Sequence, residues 1–226
     1  MRNAIILSAS LAIVCAVAAG ILGVAHRVTA EPRKKAAVEQ RSQDLKLVLP
    51  NHDNVPLNDA MTVGANDQQV TFYRARKDER VVAVAGRGVT SRGYGGRLVV
   101  LVGLELNGDI RHVVVTEHSE TPGLGTKATE RKRQKTLGDV LRGADAEKKK
   151  AGIPPNKYLD QYGKYNVLEK TTFRVGEKEG ALDAVSGATI SSRAVADAVN
   201  QAAKAFREHR RTIVRMAPSE KAREQE

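Results

Sequence analysis

The sequence contains no tryptophan, a single cysteine and few aromatic residues, which make up 4% of its 226 positions. Cys15 has no second thiol within the chain, so an intrachain disulfide is excluded. An iron–sulfur cluster is excluded too, because such clusters need several thiolate ligands. The five histidines are scattered, and none lies at metal-ligand spacing from another, which argues against a zinc or non-haem iron site. Any redox chemistry of this chain would therefore need an organic cofactor.

The formal net charge is +11 at pH 7, a balance that often indicates nucleic acid or anionic lipid as a partner. The sparse aromatic residues argue against a base-stacking surface, and we expect no nucleic-acid partner. The basic residues concentrate in four segments that flank the predicted core: 27–35, 131–135, 148–150 and 207–215. We expect these segments to face lipid headgroups, acidic partner subunits or solvent.

A long apolar run, Ala4–Ala25, opens the chain and is interrupted only by two serines. As a helix it would measure about 33 Å at 1.5 Å per residue, which is long enough to span a bilayer. A cleaved signal peptide is the alternative, since Val28-Thr29-Ala30 is a small-residue site of the kind that signal peptidase prefers. The run is longer than a signal core of roughly 7–15 residues, so we expect residues 1–27 to be a retained transmembrane anchor.

Turn and strand signals organise the chain after the anchor. Residues 28–69 indicate a juxtamembrane helix and linker, with a helix over 31–49 that ends at Pro50. Phe72–Arg76 and Val81–Ala85 have the composition of short strands.

A glycine-rich stretch, Gly86–Gly96, predicts a loop. A dinucleotide-binding turn would require a helix directly after it, and no helical pattern follows. Arg97–Leu106 and Ile110–Glu117 then flank Asn107-Gly108, a pair that favours a β-hairpin with a type I′ turn.

Later in the chain we expect a strand over Thr171–Val175 and an amphipathic helix that begins after Asp183. The helical stripe is formed by apolar residues at three- and four-residue intervals: Ala194, Val195, Ala198, Val199, Ala202 and Phe206. The pattern predicts an α+β fold, with a mainly antiparallel sheet, packed helices and one preceding transmembrane helix.

The start of that helix, Asp183-Ala184-Val185-Ser186-Gly187-Ala188-Thr189-Ile190-Ser191-Ser192, carries a cluster of hydroxyl groups. The first N–H groups of a helix have no acceptor within it, and the helix dipole adds partial positive charge there. Gly187 permits an unusual backbone conformation, and Ala188 adds little bulk. The turn therefore suits a phosphate group. The alternative is a plain helix cap, because serine and threonine are preferred N-cap residues.

A second motif, His118-Ser119-Glu120-Thr121-Pro122-Gly123-Leu124-Gly125, follows the predicted hairpin directly. By itself it indicates only a Pro-Gly turn after a strand. Together, in this order, the two motifs resemble the H-x-E-T-P-G-L-G and S-G-A-T-x-[ST]-S segments of FMN-binding domains. Those domains belong to the C subunit of the sodium-pumping quinone reductase and the G subunit of Rnf electron-transport complexes, and the second segment is their S-G-A-T signature.

The resemblance implies a covalent FMN-binding domain over 70–205 whose flavin phosphate is esterified to Thr189. Ser186, Gly187 and Ala188 would form the attachment turn, and Asp183 would orient it or be recognised during attachment. The isoalloxazine ring would lie against the loop after His118. The loop residues expected to contact it are Glu120, Thr121, Gly123 and Leu124, with Lys127 as a weaker candidate and surface charge as the alternative for Glu120 and Lys127.

The resemblance also implies the protein's partners. A separate flavin transferase, using FAD and Mg²⁺, would install the group, because no general base lies beside Thr189 in sequence. Other membrane subunits and iron–sulfur subunits would complete a complex that moves electrons between ferredoxin and NAD and couples this to Na⁺ or H⁺ translocation. The alternatives are a quinone-reductase C-type or stand-alone flavoprotein, and an anchored basic interaction domain without redox chemistry.

Two features depart from the simplest expectation. Residues 130–157 form a charged insertion, after which Tyr158–Tyr165 replaces the tryptophan- and phenylalanine-rich helix of the family, and residues 206–226 form a charged tail.

Basic residues are denser after the anchor than before it, which by the positive-inside rule predicts a cytoplasmic domain. The resemblance implies an extracytoplasmic domain on a bacterial inner membrane, and we favour it because large domains can translocate despite flanking charge.

Overall fold

The structure is a computed structural model of the full chain that describes residues 2–65, 69–131, 153–170, 172–176 and 181–215. The chain divides into two compact units, Met1–Arg41 and Ser42–Glu226. The second unit contains every strand that the structure describes, together with the His118–Gly125 and Asp183–Ser192 motifs. Its regular elements, together with the helix shared by both units, are α1 Arg2–Val48, β1 Ala60–Val63, β2 Val70–Lys77, β3 Arg80–Gly93, β4 Gly96–Glu105, β5 Ile110–Glu117, α2 Thr126–Thr129, a 3₁₀ helix Leu159–Lys164 and α3 Thr189–Val214.

The predicted anchor and juxtamembrane helix are parts of one helix, α1. It ends at Val48, two residues before Pro50, as the proline predicts, because a residue preceding proline disfavours helical backbone angles. By length and composition α1 could cross a membrane, with a mean hydropathy of 2.0 over its most apolar window. The large apolar side chains of this segment, such as Leu11 and Ile21, are exposed, as expected for side chains that contact lipid.

The five strands form one antiparallel sheet in the order β1-β2-β3-β4-β5, so each strand pairs with its neighbour in sequence. α3 packs on one face of this sheet, where its alanines meet the valines and leucines of β4. The last turn of α1 packs on the other face through Leu45, Val48 and Leu49. The α+β fold with a mainly antiparallel sheet is confirmed.

The loop predicted over Gly86–Gly96 is wrong, because β3 continues as a strand to Gly93. Glycine serves here for close packing and not for a turn. A Cβ on Gly88 would overlap the carbonyl oxygen of Ala198 in α3, and one on Gly86 would lie 3.2 Å from the Cβ of Ala202. The missing side chains let the helix approach the sheet closely, which a one-dimensional pattern does not reveal.

The type I′ turn predicted at Asn107-Gly108 is also wrong, although the hairpin itself is present. Gly108 has φ +98°, whereas Asn107 is not among the residues with positive φ, and a type I′ turn requires both. The conformation occurs instead in the β2–β3 hairpin, where Asp78 and Glu79 have φ +50° and +62°.

The later part of the domain is less regular than the sequence suggests. Within 172–176 there is no strand; Val175 makes only an isolated bridge to Leu182, and Thr171 lies outside the described residues. Tyr158–Tyr165 contains the 3₁₀ helix. Most of the charged insertion (132–152) and the end of the tail (216–226) also lie outside the described residues. The two flanks of the insertion are adjacent, since the Nη1 of Arg131 donates to the carbonyl of Pro154 at 2.9 Å.

Candidate functional site

Helix α3 begins at Thr189 with an uncapped N-terminus. Its N-cap residue is Ala188, and no side chain makes a capping hydrogen bond there. The first turn contains no acidic residue. The N–H groups of the first turn lack an acceptor within the helix, so the positive end of a 26-residue helix stays available to an anion.

The serines of the motif hydrogen bond elsewhere, which overturns the plain-cap interpretation. The Ser192 hydroxyl donates to the carbonyl of Ala188 at 3.0 Å and accepts from the N–H of Val185 at 3.2 Å. The Ser191 hydroxyl donates to the carboxylate of Glu120 at 2.7 Å. Ser186 and Thr189 are exposed, so of the four hydroxyls in the motif these two face the surrounding solvent.

Two tight turns meet at this helix end. In Val185–Ala188 the N–H of Ala188 donates to Val185 at 2.9 Å, with Gly187 at φ +76°. In Thr121–Leu124 the N–H of Leu124 donates to Thr121 at 3.2 Å, with Gly123 at φ +78°. Positive φ at the third position is the mark of a type II turn, and it explains the glycine in each motif.

The two turns face each other. A Cβ on Gly187 would lie 3.6 Å from the Cδ2 of Leu124, which is ordinary van der Waals contact. Leu124 nevertheless keeps 51% of its surface exposed. The N–H of Gly123 is engaged by the Thr126 hydroxyl at 2.9 Å, so it holds the loop together. The structure therefore brings the two sequence motifs, more than sixty residues apart, into one site.

The side chain of Glu120 links the loop after His118 to the first turn of α3. Its side chain is only 6% exposed, so the surface-charge alternative does not apply to it, whereas Lys127 is exposed. A Cβ on Gly125 would lie 2.9 Å from both the Cβ of Glu120 and the hydroxyl oxygen of Ser191. This tight packing holds the side chain of Glu120 in place between the loop and the helix. Contact of Glu120, Thr121, Gly123 or Lys127 with a ligand stays a prediction.

We expect Ser191→Ala to destabilise the domain by about 1–3 kcal/mol, because the buried carboxylate of Glu120 loses its hydroxyl donor. Denaturant unfolding of the detergent-solubilised chain measures this change. Ser186→Ala removes an exposed hydroxyl from the same turn and should stay within about 0.5 kcal/mol of the wild type. Equal effects of the two variants would contradict the assigned role of Ser191.

Asp183 lies upstream of the turn, where its backbone is held by one side chain. Gln161 donates to the carbonyl of Asp183 at 3.2 Å and accepts from its N–H at 2.8 Å. The Asp183 side chain is exposed, and the N-cap residue of α3 is Ala188, so Asp183 does not cap this helix. Its roles in orienting the turn or in recognition stay predictions.

Two buried tyrosines, Tyr158 and Tyr162, support the start of α3. The sequence did not identify them as part of the site. The Tyr158 hydroxyl donates to the carbonyl of Ser192 at 2.5 Å, and the hydroxyls of Tyr158 and Tyr162 lie 2.8 Å apart. Their rings meet edge to face. Burial raises the pKa of Tyr158, and burial together with the neighbouring phenol raises the pKa of Tyr162.

We expect these phenols to make the domain alkali-sensitive. Both folded pKa values lie above the ordinary value of about 10, so the folded chain retains protons that the unfolded chain releases. Their contribution to stability is complete below about pH 10 and falls as the pH rises beyond it, by up to about 1.4 kcal/mol per pH unit for each phenol.

Unfolding free energies between pH 8 and pH 12 measure this slope. Tyr158→Phe and Tyr162→Phe should each make it shallower, and the double variant should make it shallowest. An unchanged slope in the double variant would contradict the assignment, whatever the absolute stability of that variant.

Arg193 is a further residue that the sequence reasoning did not single out. It is exposed and lies four residues after Thr189, so the two share one face of α3. Side chains in a helix tend to lean towards its N-terminus, so we expect this guanidinium to lie on the Thr189 side of its own Cα. In the sequence, the four-residue spacing between Thr189 and Arg193 is the pattern that could have identified Arg193.

These features together fit a site for a phosphate group. An exposed hydroxyl at an open helix N-terminus is accessible for modification, and uncapped N–H groups with a nearby guanidinium would stabilise the resulting anion. The apolar Leu124 across the turn offers contact to an attached aromatic group. The described residues around Thr189 thus fit a group with a phosphate at one end and an apolar ring system at the other.

Comparison with known proteins gives consistent relatives. Residues 93–204 match the FMN-binding domain family. Three similar chains are each named as the G subunit of an ion-translocating oxidoreductase complex. They come from Photorhabdus laumondii, 32% identical over 200 residues covering 86% of both chains; Stutzerimonas stutzeri, 32% identical over 196 residues covering 85% of this chain and 76% of the relative; and Vibrio cholerae, 29% identical over 210 residues covering 90% of both.

Proposed function

We propose that this chain, which belongs to the family of G subunits of Rnf-type ion-translocating oxidoreductase complexes, carries FMN as a phosphoester on Thr189. The family makes it a flavin-binding subunit of an electron-transport complex. The observation that carries the covalent proposal is the uncapped start of α3, where Thr189 is exposed and the neighbouring buried serines are engaged elsewhere. The roles proposed for the other residues of the site follow from that arrangement.

The attachment would be a transfer from FAD. The Thr189 oxygen would form a bond to the flavin-side phosphorus, the phosphoanhydride bond would break, AMP would leave and the hydroxyl proton would pass to solvent or a base. A threonine hydroxyl is a weak nucleophile and must be activated. We propose that a separate flavin transferase with Mg²⁺ supplies this activation, and that the exposed turn with Asp183 is the surface it recognises.

The residues of the site would then bind and orient the flavin. First-turn N–H groups and Arg193 would hold the phosphate, and Leu124 would contact the ring. Glu120, Ser191 and the tyrosine pair would fix the two turns relative to each other, which keeps the ring position constant. The bound flavin supplies electron transfer, while the protein supplies position and electrostatics.

Within the complex we propose a relay role without an independent active site. Electrons would pass between ferredoxin and NAD through this and other subunits, some of them iron–sulfur proteins, with Na⁺ or H⁺ translocation coupled to the transfer. The three relatives described above are named as G subunits, which favours this assembly over a quinone-reductase C-type assembly and over a non-redox basic domain.

Flavin fluorescence in a denaturing gel tests the function. The chain co-produced with a flavin transferase should give a fluorescent band after boiling in detergent, and the chain produced without the transferase should not. A dark band in both cases would contradict covalent attachment, since a phosphoester survives denaturation whereas a non-covalent flavin is lost.

For membrane topology we propose one pass through the bacterial inner membrane, with the flavin domain extracytoplasmic and basic segments near lipid headgroups. α1 and the family fit a membrane-anchored protein. Alkaline phosphatase fused after Gln40 should then be active, because the enzyme requires an oxidising compartment. An inactive phosphatase fusion combined with an active cytoplasmic reporter fused at the same residue would reverse the topology.

A further inference from the structure

We infer that Tyr94, at the tip of the β3–β4 hairpin, is the aromatic side chain against which the isoalloxazine ring of the attached flavin stacks. This inference rests on the proposed attachment at Thr189 and adds a contact that neither motif contains. It concerns a residue between two glycines in the stretch that the sequence reasoning treated as a plain loop.

The exposure of Tyr94 sets it apart from the other aromatic side chains. The chain has five tyrosines, three phenylalanines and no tryptophan. Seven of these eight rings are buried or half-buried, and they are Phe72, Tyr73, Tyr158, Tyr162, Tyr165, Phe173 and Phe206. Tyr94 is 70% exposed. An exposed aromatic ring is available for stacking on an external aromatic group.

The hairpin tip is fixed against both parts of the flavin site. A Cβ on Gly95 would overlap the carbonyl oxygen of Ser119, at the start of the His118–Gly125 motif, so the backbone of the tip lies directly on that loop. A Cβ on Gly93 would lie 2.7 Å from the Oε1 of Glu120, whose other oxygen accepts from Ser191. Tyr94, between these glycines, is therefore carried on a tightly packed backbone.

From Gly86 towards the hairpin tip, the contacts of β3 with α3 move towards the N-terminus of the helix. The Nη1 of Arg92 lies 3.2 Å from the Oδ2 of Asp197, two turns into the helix. One residue later, a Cβ on Gly93 would lie 2.7 Å from the carboxylate of Glu120, which accepts from Ser191 in the first turn. Tyr94 is the next residue and so lies near the level of the helix start.

Apolar exposure around this point supports a ring-binding surface. Ile190, adjacent to Thr189, is 52% exposed, and Leu124 is 51% exposed across the turn. With Tyr94 these residues offer apolar contacts beside an open anion site at the helix N-terminus. A flavin fits this combination, since its phosphate is anionic and its ring is planar, aromatic and largely apolar. Offset stacking on a tyrosine is a favourable arrangement for such a ring.

Fluorescence of the attached flavin tests the contact. A phenol in contact with an isoalloxazine ring quenches its emission, because the excited ring accepts an electron that returns without net chemistry. In full-length protein loaded by the transferase, Tyr94→Leu should lengthen the average fluorescence lifetime severalfold. Tyr94→Phe is the matched variant: it keeps the aromatic ring, so it should relieve quenching while leaving the visible circular dichroism of the flavin close to that of the wild type. Tyr94→Leu should alter that signal.

The outcomes separate this inference from the proposed function. Covalent flavin on Thr189 with the same lifetime and circular dichroism in all three proteins would overturn the stacking role alone. Unchanged flavin spectra with loss of Tyr94→Leu from the assembled complex would overturn it in favour of a contact with another protein of the complex. Absence of covalent flavin from the loaded wild type would overturn the attachment and, with it, this inference. Tyr94 is on the surface, so its substitution leaves the core intact.

Discussion

Thr189→Val should abolish covalent flavin completely when the chain is co-produced with a flavin transferase. Valine matches threonine in shape and branching but lacks the hydroxyl that would form the phosphoester. Because the side chain at position 189 is exposed and makes no capping hydrogen bond, the substitution should leave the fold unchanged. The readout is flavin fluorescence in a denaturing gel, normalised to protein stain.

Two controls make the result specific. Thr189→Ser restores a hydroxyl at the same backbone position and should carry flavin. Ser186→Ala removes the other exposed hydroxyl of the turn and should also carry flavin, because only position 189 is the proposed attachment point. A fluorescent Thr189→Val protein would be incompatible with attachment at Thr189.

Gly88→Ala should be the most damaging of the single-methyl substitutions in the sheet. A Cβ at this position would overlap the carbonyl oxygen of Ala198 and lie 2.7 Å from its carbonyl carbon, and both are backbone atoms of α3. Neither can rotate away, so the helix must move off the sheet and loosen the core that holds Ala198 and Ala202. We expect a loss of about 3 kcal/mol or more in the free energy of unfolding.

Gly163→Ala is the matched control for this substitution. The nearest atoms that its Cβ would meet are the carbonyl oxygens of Arg111 and Ile110, at 3.7 and 3.8 Å. Its stability should stay near that of the wild type or rise slightly, because alanine restricts the unfolded chain. Denaturant unfolding in detergent gives both values. A Gly88→Ala protein within about 0.5 kcal/mol of the wild type would refute the close helix–sheet approach.

The parts of the fold that were predictable depended on local patterns. The apolar stripe of α3 and the strands on either side of Asn107-Gly108 follow directly from residue spacing, because periodic burial leaves a periodic sequence. The apolar run of α1 likewise predicts a membrane-spanning helix from length alone. The position of both glycines in the facing turns also follows from their motifs, since the type II turn requires them.

The parts that failed depended on contacts distant in sequence. Gly86 and Gly88 resemble loop residues until α3 is placed on top of them, where they permit close packing. The type I′ conformation belongs to Asp78-Glu79, a pair without the usual glycine. Within its described residues, the predicted strand Thr171–Val175 pairs only at Val175, because the backbone N–H and carbonyl of Phe173 are instead held by the side chain of Asn200.

The site shows the same division. The two motifs identify Thr189 and the Thr121–Leu124 turn, but they do not show that Glu120 is buried and bonded to Ser191. They also do not indicate that Tyr158 reaches the carbonyl of Ser192, since the two residues are 34 positions apart. Such supporting residues become visible only when the chain is folded, because their partners have no fixed sequence spacing.

Peptide mapping of the loaded protein tests the central claim most directly. Trypsin should release the segment 179–193, which contains four hydroxyl residues: Ser186, Thr189, Ser191 and Ser192. Attachment at Thr189 predicts that this peptide is heavier by the mass of FMN less one water, with fragmentation placing the added mass on Thr189. An unmodified peptide from a protein that retains fluorescence after denaturation, or an added mass on one of the three serines, would contradict the claim.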